Sequence, residues 1–161
     1  MGQQKSKSVV AKQHKCRYAV QPKRNFTQED LDNWTVLKNS SELQMLLYKS
    51  GDLVRMEVFF DSGGCFGQKI QQRIIDDNNV LVLKLFLKYW EFVPQMRQHM
   101  LKKASLDFVM TYVENKNLGK FGVDLVKNVR FSKSFIQHCF PFLNREAKRI
   151  ACEVRKINRV G

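Results

Sequence analysis

The chain has 161 residues, a net charge of +13 and a composition that is 43% hydrophobic and 27% charged. That balance is typical of one globular domain, large enough to bury a core without disulfides or metals, and it excludes a chain disordered throughout. The positive excess points to a polyanionic partner: an acidic membrane surface, a nucleic acid or an acidic protein.

The charge is uneven. Residues 1–24 hold seven Lys/Arg and no acid, so residues 1–25 are expected to form a flexible basic arm, and residues 26–161 a helical domain. A second cluster, Arg145 to Arg159, has six basic residues against two acidic ones. Cys16, Cys65, Cys139 and Cys152 include no C-x-x-C pair and no zinc-like spacing. No hydrophobic signal segment opens the chain, which predicts an intracellular protein with reduced thiols and idle sequons at Asn25, Asn33 and Asn39. The longest apolar stretch, Val80 to Val93, is broken by Lys84, Lys88 and Glu91 and is too short to span a bilayer.

Order is predicted to begin at Asn25-Phe26-Thr27. Thr27 as N-cap, Asp30 three residues later, and the Phe26/Leu31 pair match a capping box with its hydrophobic staple, giving a helix over about 28–37. Ser40 or Ser41 caps the next helix, with Leu43, Leu46 and Leu47 on one face and Ser50-Gly51 at its end. LVRMEVFF fits a helix or, through the alternation of Val54, Met56, Val58 and Phe60, a strand. DSGGCFG reads as a loop, since it lacks either phosphate-binding glycine pattern. Ile70, Ile74 and Ile75 face inward from the helix that follows. Val80 to Val93 reads as one helix, apolar nearly all round and therefore central, with Pro94 at its end or opening the next. Two helices then meet at a bend near Ser105, and three more segments complete the chain, the last placing Ile150, Val154 and Ile157 on its inner side. The expected fold is all-α, with about eight helices.

A shift of about 39 residues aligns Leu46-Leu47-Tyr48-Lys49, Leu85-Phe86-Leu87-Lys88 and Asp124-Leu125-Val126-Lys127, and also Leu53, Phe92 and Phe131. Over residues 40–157 this pattern resembles an armadillo- or HEAT-type helical repeat, which implies stacked helical hairpins with a partner in their groove. A general helical bundle is the other fold that the same apolar spacing fits.

Met1-Gly2-Gln3-Gln4-Lys5-Ser6 fits the N-myristoylation pattern M-G-x-x-x-[ST], which makes Gly2 the candidate lipidation site. One myristoyl chain gives only marginal membrane binding, so a second signal is needed. Lys5, Lys7, Lys12, Lys15 and Arg17 supply it as candidate contacts to anionic lipids. Cys16 is a candidate palmitoylation site, and phosphorylation of Ser6 and Ser8 inside the basic run is a candidate electrostatic switch. No catalytic motif, cofactor site or metal cluster is evident. His14, His99 and His138 form no dyad with a nucleophile, and His138 and Cys139 diverge as helix neighbours. The expected protein is a non-enzymatic adaptor on the cytoplasmic face of a membrane that binds a protein partner. Its layout of acylated glycine, basic patch and helical domain is similar to that of retroviral matrix proteins. A basic helical RNA- or DNA-binding protein is the alternative, although the arm offers only Tyr18 for base stacking.

Overall fold

The computed structural model describes residues 34–116 and 118–157. The arm and the Thr27 cap lie outside them. Among the described residues there are ten α-helices, one 3-10 turn and no strand, so the chain is all-α. It divides into two compact units at Arg73/Ile74, inside the fourth helix.

In the first unit, α1 (Trp34–Asn39) packs on α2 (Ser41–Ser50), which packs on α3 (Leu53–Asp61); α4 (Gln68–Asp76) begins here. Ser40 caps α2, its Oγ accepting from Leu43 N at 3.1 Å, and Gly51 ends it in the left-handed conformation with its N–H on Tyr48 O. Asp52 caps α3, which settles LVRMEVFF as helix: Met56, Phe59 and Phe60 are buried on one side. The core is aromatic, with Phe60 edge-on to Phe66 at 5.0 Å and Phe59 5.9 Å from Phe66. Buried Gln44 holds the unit together. It donates to the carbonyls of Leu37 and Lys38 and accepts from Gly67 N at 2.9 Å, so one side chain ties the end of α1 to the start of α4. Lys38 is also buried. Its Nζ donates to Ser62 O at 2.9 Å, and desolvation holds its pKa below the usual lysine value.

The second unit continues α4 and adds α5 (Val80–Leu87), α6 (Pro94–Lys103), α7 (Leu106–Asn115), α8 (Phe121–Lys127), α9 (Lys133–Cys139), a 3-10 turn (Phe140–Phe142) and α10 (Arg145–Val154). Helix α5 packs on α7, α7 on α9, α8 on α10 and α8 against α6. As expected of an almost wholly apolar helix, α5 buries Val82, Leu83, Leu85, Phe86 and Leu87. It does not run on to Val93. The chain leaves the helix after Leu87, and Phe92 packs from a loop against Phe86, Phe108 and Tyr112. Two causes are visible. Pro94 opens α6 and forces Val93 into extended backbone, and the buried Tyr112 hydroxyl accepts from Phe92 N at 3.4 Å. Val154 is a second departure, 54% exposed rather than inward, because α10 ends there and Ile157 reaches the core from beyond the helix. The tally of about eight helices also falls short of ten.

The helix order repeats. After α1 the helices form three triplets, opening at Ser41, Val80 and Phe121, with second helices from Leu53, Pro94 and Lys133 and third helices from Gln68, Leu106 and Arg145. Corresponding helices start 38 to 41 residues apart. These spacings are compatible with a helical repeat of about 39 residues.

Candidate anion-binding surface

All the site residues expected from sequence (Gly2, Lys5, Ser6, Ser8, Lys7, Lys12, Lys15, Cys16 and Arg17) lie outside the described residues. The second unit contributes a different basic surface, built from positions far apart in sequence.

Its centre is the loop Asn128–Ser132 between α8 and α9. Asn128 Oδ1 accepts from Arg130 N at 2.9 Å, which turns the chain sharply. Arg130 Nε then donates to Leu101 O at 3.0 Å and Asn128 Nδ2 to the same oxygen at 3.4 Å, so the loop is pinned to the last turn of α6. From the other side Arg155, just past α10, donates to Val126 O (3.2 Å) and to Phe131 O. The C-terminal ends of α6, α8 and α10 thus meet at this loop. Cations are favoured there by the negative ends of the helix dipoles, and Arg130 and Arg155 also satisfy carbonyls left open at helix ends and in the loop.

The remaining cations are not used in this way. Lys102, Lys103, Lys127, Lys133 and Lys156 are exposed and make no hydrogen bond or ion pair among the described residues. Between Lys127 and Lys133 in the chain, Val129 is 95% exposed, at the tip of a loop anchored on both sides. The nearby acids are partly occupied: Gln98 donates to Asp124 at 2.9 Å, and Arg149 pairs with Glu153. Phe131 is buried and stacks on Phe135 at 5.1 Å, so the ring nearest the tip faces the core. Among the described residues the surface offers positive charge and, at its tip, the bare aliphatic side chain of Val129.

Sequence reading singled out only part of this surface. It marked the Arg145–Arg159 cluster, of which Arg149 is ion-paired and Arg155 is committed to carbonyls. Val129, Lys102, Lys103, Lys127 and Lys133 went unmarked. The local signals were lysines closing α6 and α8, a lysine opening α9, and an aliphatic residue between Asn and Arg in a turn.

Other reactive groups sit apart. Burial raises the Cys65 thiol to about 11, and burial followed by the charge of Glu114 raises Cys139 to about 12, so both remain protonated at neutral pH. Tyr112 is raised to about 12, mainly by burial. Arg97 lies 4.3 Å over the Phe121 ring and pairs with Glu91 at 3.3 Å, while its buried Nε has no hydrogen-bond partner among the described residues. His99 donates to Asp76 at 2.7 Å; His138 is exposed and bonds Ser134 O, while Cys139 is buried, so these neighbours diverge as expected. Among the described residues no three His, Cys, Asp or Glu gather as metal ligands, and no helix is long and apolar enough to cross a membrane.

In the first unit the outer side of α3 shows Val54 at 73% exposure and Val58 one turn later, next to Leu53. Comparison with protein-family models, curated proteins and solved structures found no match to this chain.

Proposed function

We propose that this protein is a peripheral membrane adaptor. Gly2 carries an N-myristoyl group, the arm from Lys5 to Arg17 binds anionic lipid, and the basic end of the second unit adds a further contact to the same surface. The observation that carries this reading is the acylation pattern Met1–Ser6 set in a stretch with seven basic residues and no acid. A lone myristoyl chain binds with K of about 10⁴ M⁻¹, and each Lys or Arg near an anionic surface adds about 1 kcal/mol. The lipid and the arm are each insufficient for stable anchoring, but together they suffice.

The basic end suits a lipid surface better than a nucleic acid. Base stacking needs an exposed ring among the cations, whereas Val129 gives an aliphatic tip suited to the interface between headgroups and acyl chains. The helix order within the second unit is compatible with armadillo-like stacking, and in the first unit the exposed Val54/Val58 side of α3 is the candidate face for a protein partner.

Vesicle flotation tests the reading. Without myristate, Lys127→Gln combined with Lys133→Gln is expected to lower partitioning into phosphatidylserine-containing vesicles about tenfold or more. Val129→Asp should lower it further. Partitioning unchanged in both variants removes the basic end from the membrane interface. Tight, salt-sensitive RNA binding lost in the same variants would instead make the surface a nucleic-acid site.

A further inference from the structure

Across the junction of α6 and α7 runs Leu101-Lys102-Lys103-Ala104-Ser105-Leu106, a serine with lysines two and three positions before it and an apolar residue directly after. We infer that Ser105 is a phosphoacceptor for a basic-directed serine kinase, and that its phosphate switches off the basic end of the second unit. The switch rests on the membrane reading above; the phosphoacceptor does not.

Both chemistry and conformation support the assignment. Charge patterns around the acceptor are a common basis of kinase specificity, and Lys102 and Lys103 are both exposed and unpaired among the described residues. Ser105 is exposed, and Leu106 after it is 47% exposed. Ala104 (φ −72, ψ 159) and Ser105 (φ −68, ψ 161) are extended, but Ala104 is buried and Ser105 N donates to Asn78 Oδ1 at 2.7 Å, so a kinase engages the segment when this junction opens. Lys102 and Lys103 occupy the last turn of α6, where helix ends open most readily. In the transfer, Ser105 Oγ attacks the γ-phosphorus of Mg-ATP. The Oγ–P bond forms, the bond to the bridging oxygen breaks, ADP leaves with the electron pair, and the hydroxyl proton passes to the kinase's catalytic aspartate.

The consequence follows from position. Leu101, four residues before Ser105, is the residue whose carbonyl anchors Arg130 and Asn128. A phosphate of charge about −1.5 to −2 at Ser105 offsets Lys102 and Lys103, the α6 share of the basic end. Ser105 Oγ now accepts from Phe108 N at 3.2 Å as the cap of α7, and a phosphate at a helix N-terminus is favoured, so the modified chain keeps its fold.

The test uses the full-length, unmyristoylated chain with Mg-ATP and a serine kinase selective for two basic residues ahead of its acceptor. Phosphate is located by peptide mass mapping, because Ser6 and Ser8 also lie among lysines. Phosphate is expected on Ser105, absent in Ser105→Asn, which preserves the helix cap, and at least tenfold slower to form in Lys102→Gln/Lys103→Gln. Chains phosphorylated at Ser105 alone should partition about tenfold less into phosphatidylserine vesicles. Absence of phosphate from Ser105 overturns the inference. Full phosphorylation with unchanged partitioning overturns the switch. Failure of both forms to bind vesicles overturns the contact of the basic end with lipid, and with it the switch, while the acceptor stands.

Discussion

Phe92→Ala is expected to destabilise the second unit by about 3–5 kcal/mol. Phe92 is 1% exposed, with ring centres 5.3 Å from Tyr112, 5.7 Å from Phe86 and 6.3 Å from Phe108. It reaches that position from a loop, so no helix of its own can slide to refill the space. The lost aromatic contacts add to the cavity. Against a typical domain stability of about 5–15 kcal/mol, the loss leaves the unit near its unfolding threshold. Urea denaturation followed by the emission of neighbouring Trp90 measures it. A change below about 1 kcal/mol would mean that Phe92 is not a centre of the core.

Gly64→Ala should cost the first unit about 1–3 kcal/mol, near the upper end. A Cβ on Gly64 overlaps the Phe59 ring, and Gly64 N is fixed on Phe59 O at 2.9 Å. The ring cannot retreat freely, because Phe60 and Phe66 lie 5.8 and 5.9 Å away. Gly67→Ala is the control: its Cβ meets only Gln44 Oε1, at an ordinary 3.7 Å. Thermal melts of the two variants should differ clearly, and equal melting temperatures would contradict the packing described.

The fold was legible wherever a local rule acted alone. Of the two expected caps, Ser40 or Ser41, it is Ser40 that caps a helix, because its hydroxyl has an open N–H three residues on, and Ile70, Ile74 and Ile75 are buried as their spacing implies. Legibility failed where tertiary packing overrode the local pattern. Val80 to Val93 keeps helical spacing to its end, yet burial of Phe92 beside Tyr112 and the restriction ahead of Pro94 break the helix. The basic end was harder still, because three helices must meet before Lys102, Lys127, Lys133 and Lys156 become neighbours of one loop. A charge count along the chain finds the cluster at Arg145–Arg159 but cannot tell that Arg155 is spent on the carbonyls of Val126 and Phe131. The repeat was visible only as an apolar register, and the helix starts, 38 to 41 residues apart, are compatible with it.

The most direct test of the membrane account is intact mass after co-expression with an N-myristoyltransferase, followed by flotation of wild type and Gly2→Ala on phosphatidylserine vesicles. The account predicts one added myristoyl group on the wild type, none on Gly2→Ala, and recovery with vesicles that falls at least tenfold in the variant. An unmodified mass, or flotation indifferent to Gly2, would contradict it and reduce the first residues to a basic tail.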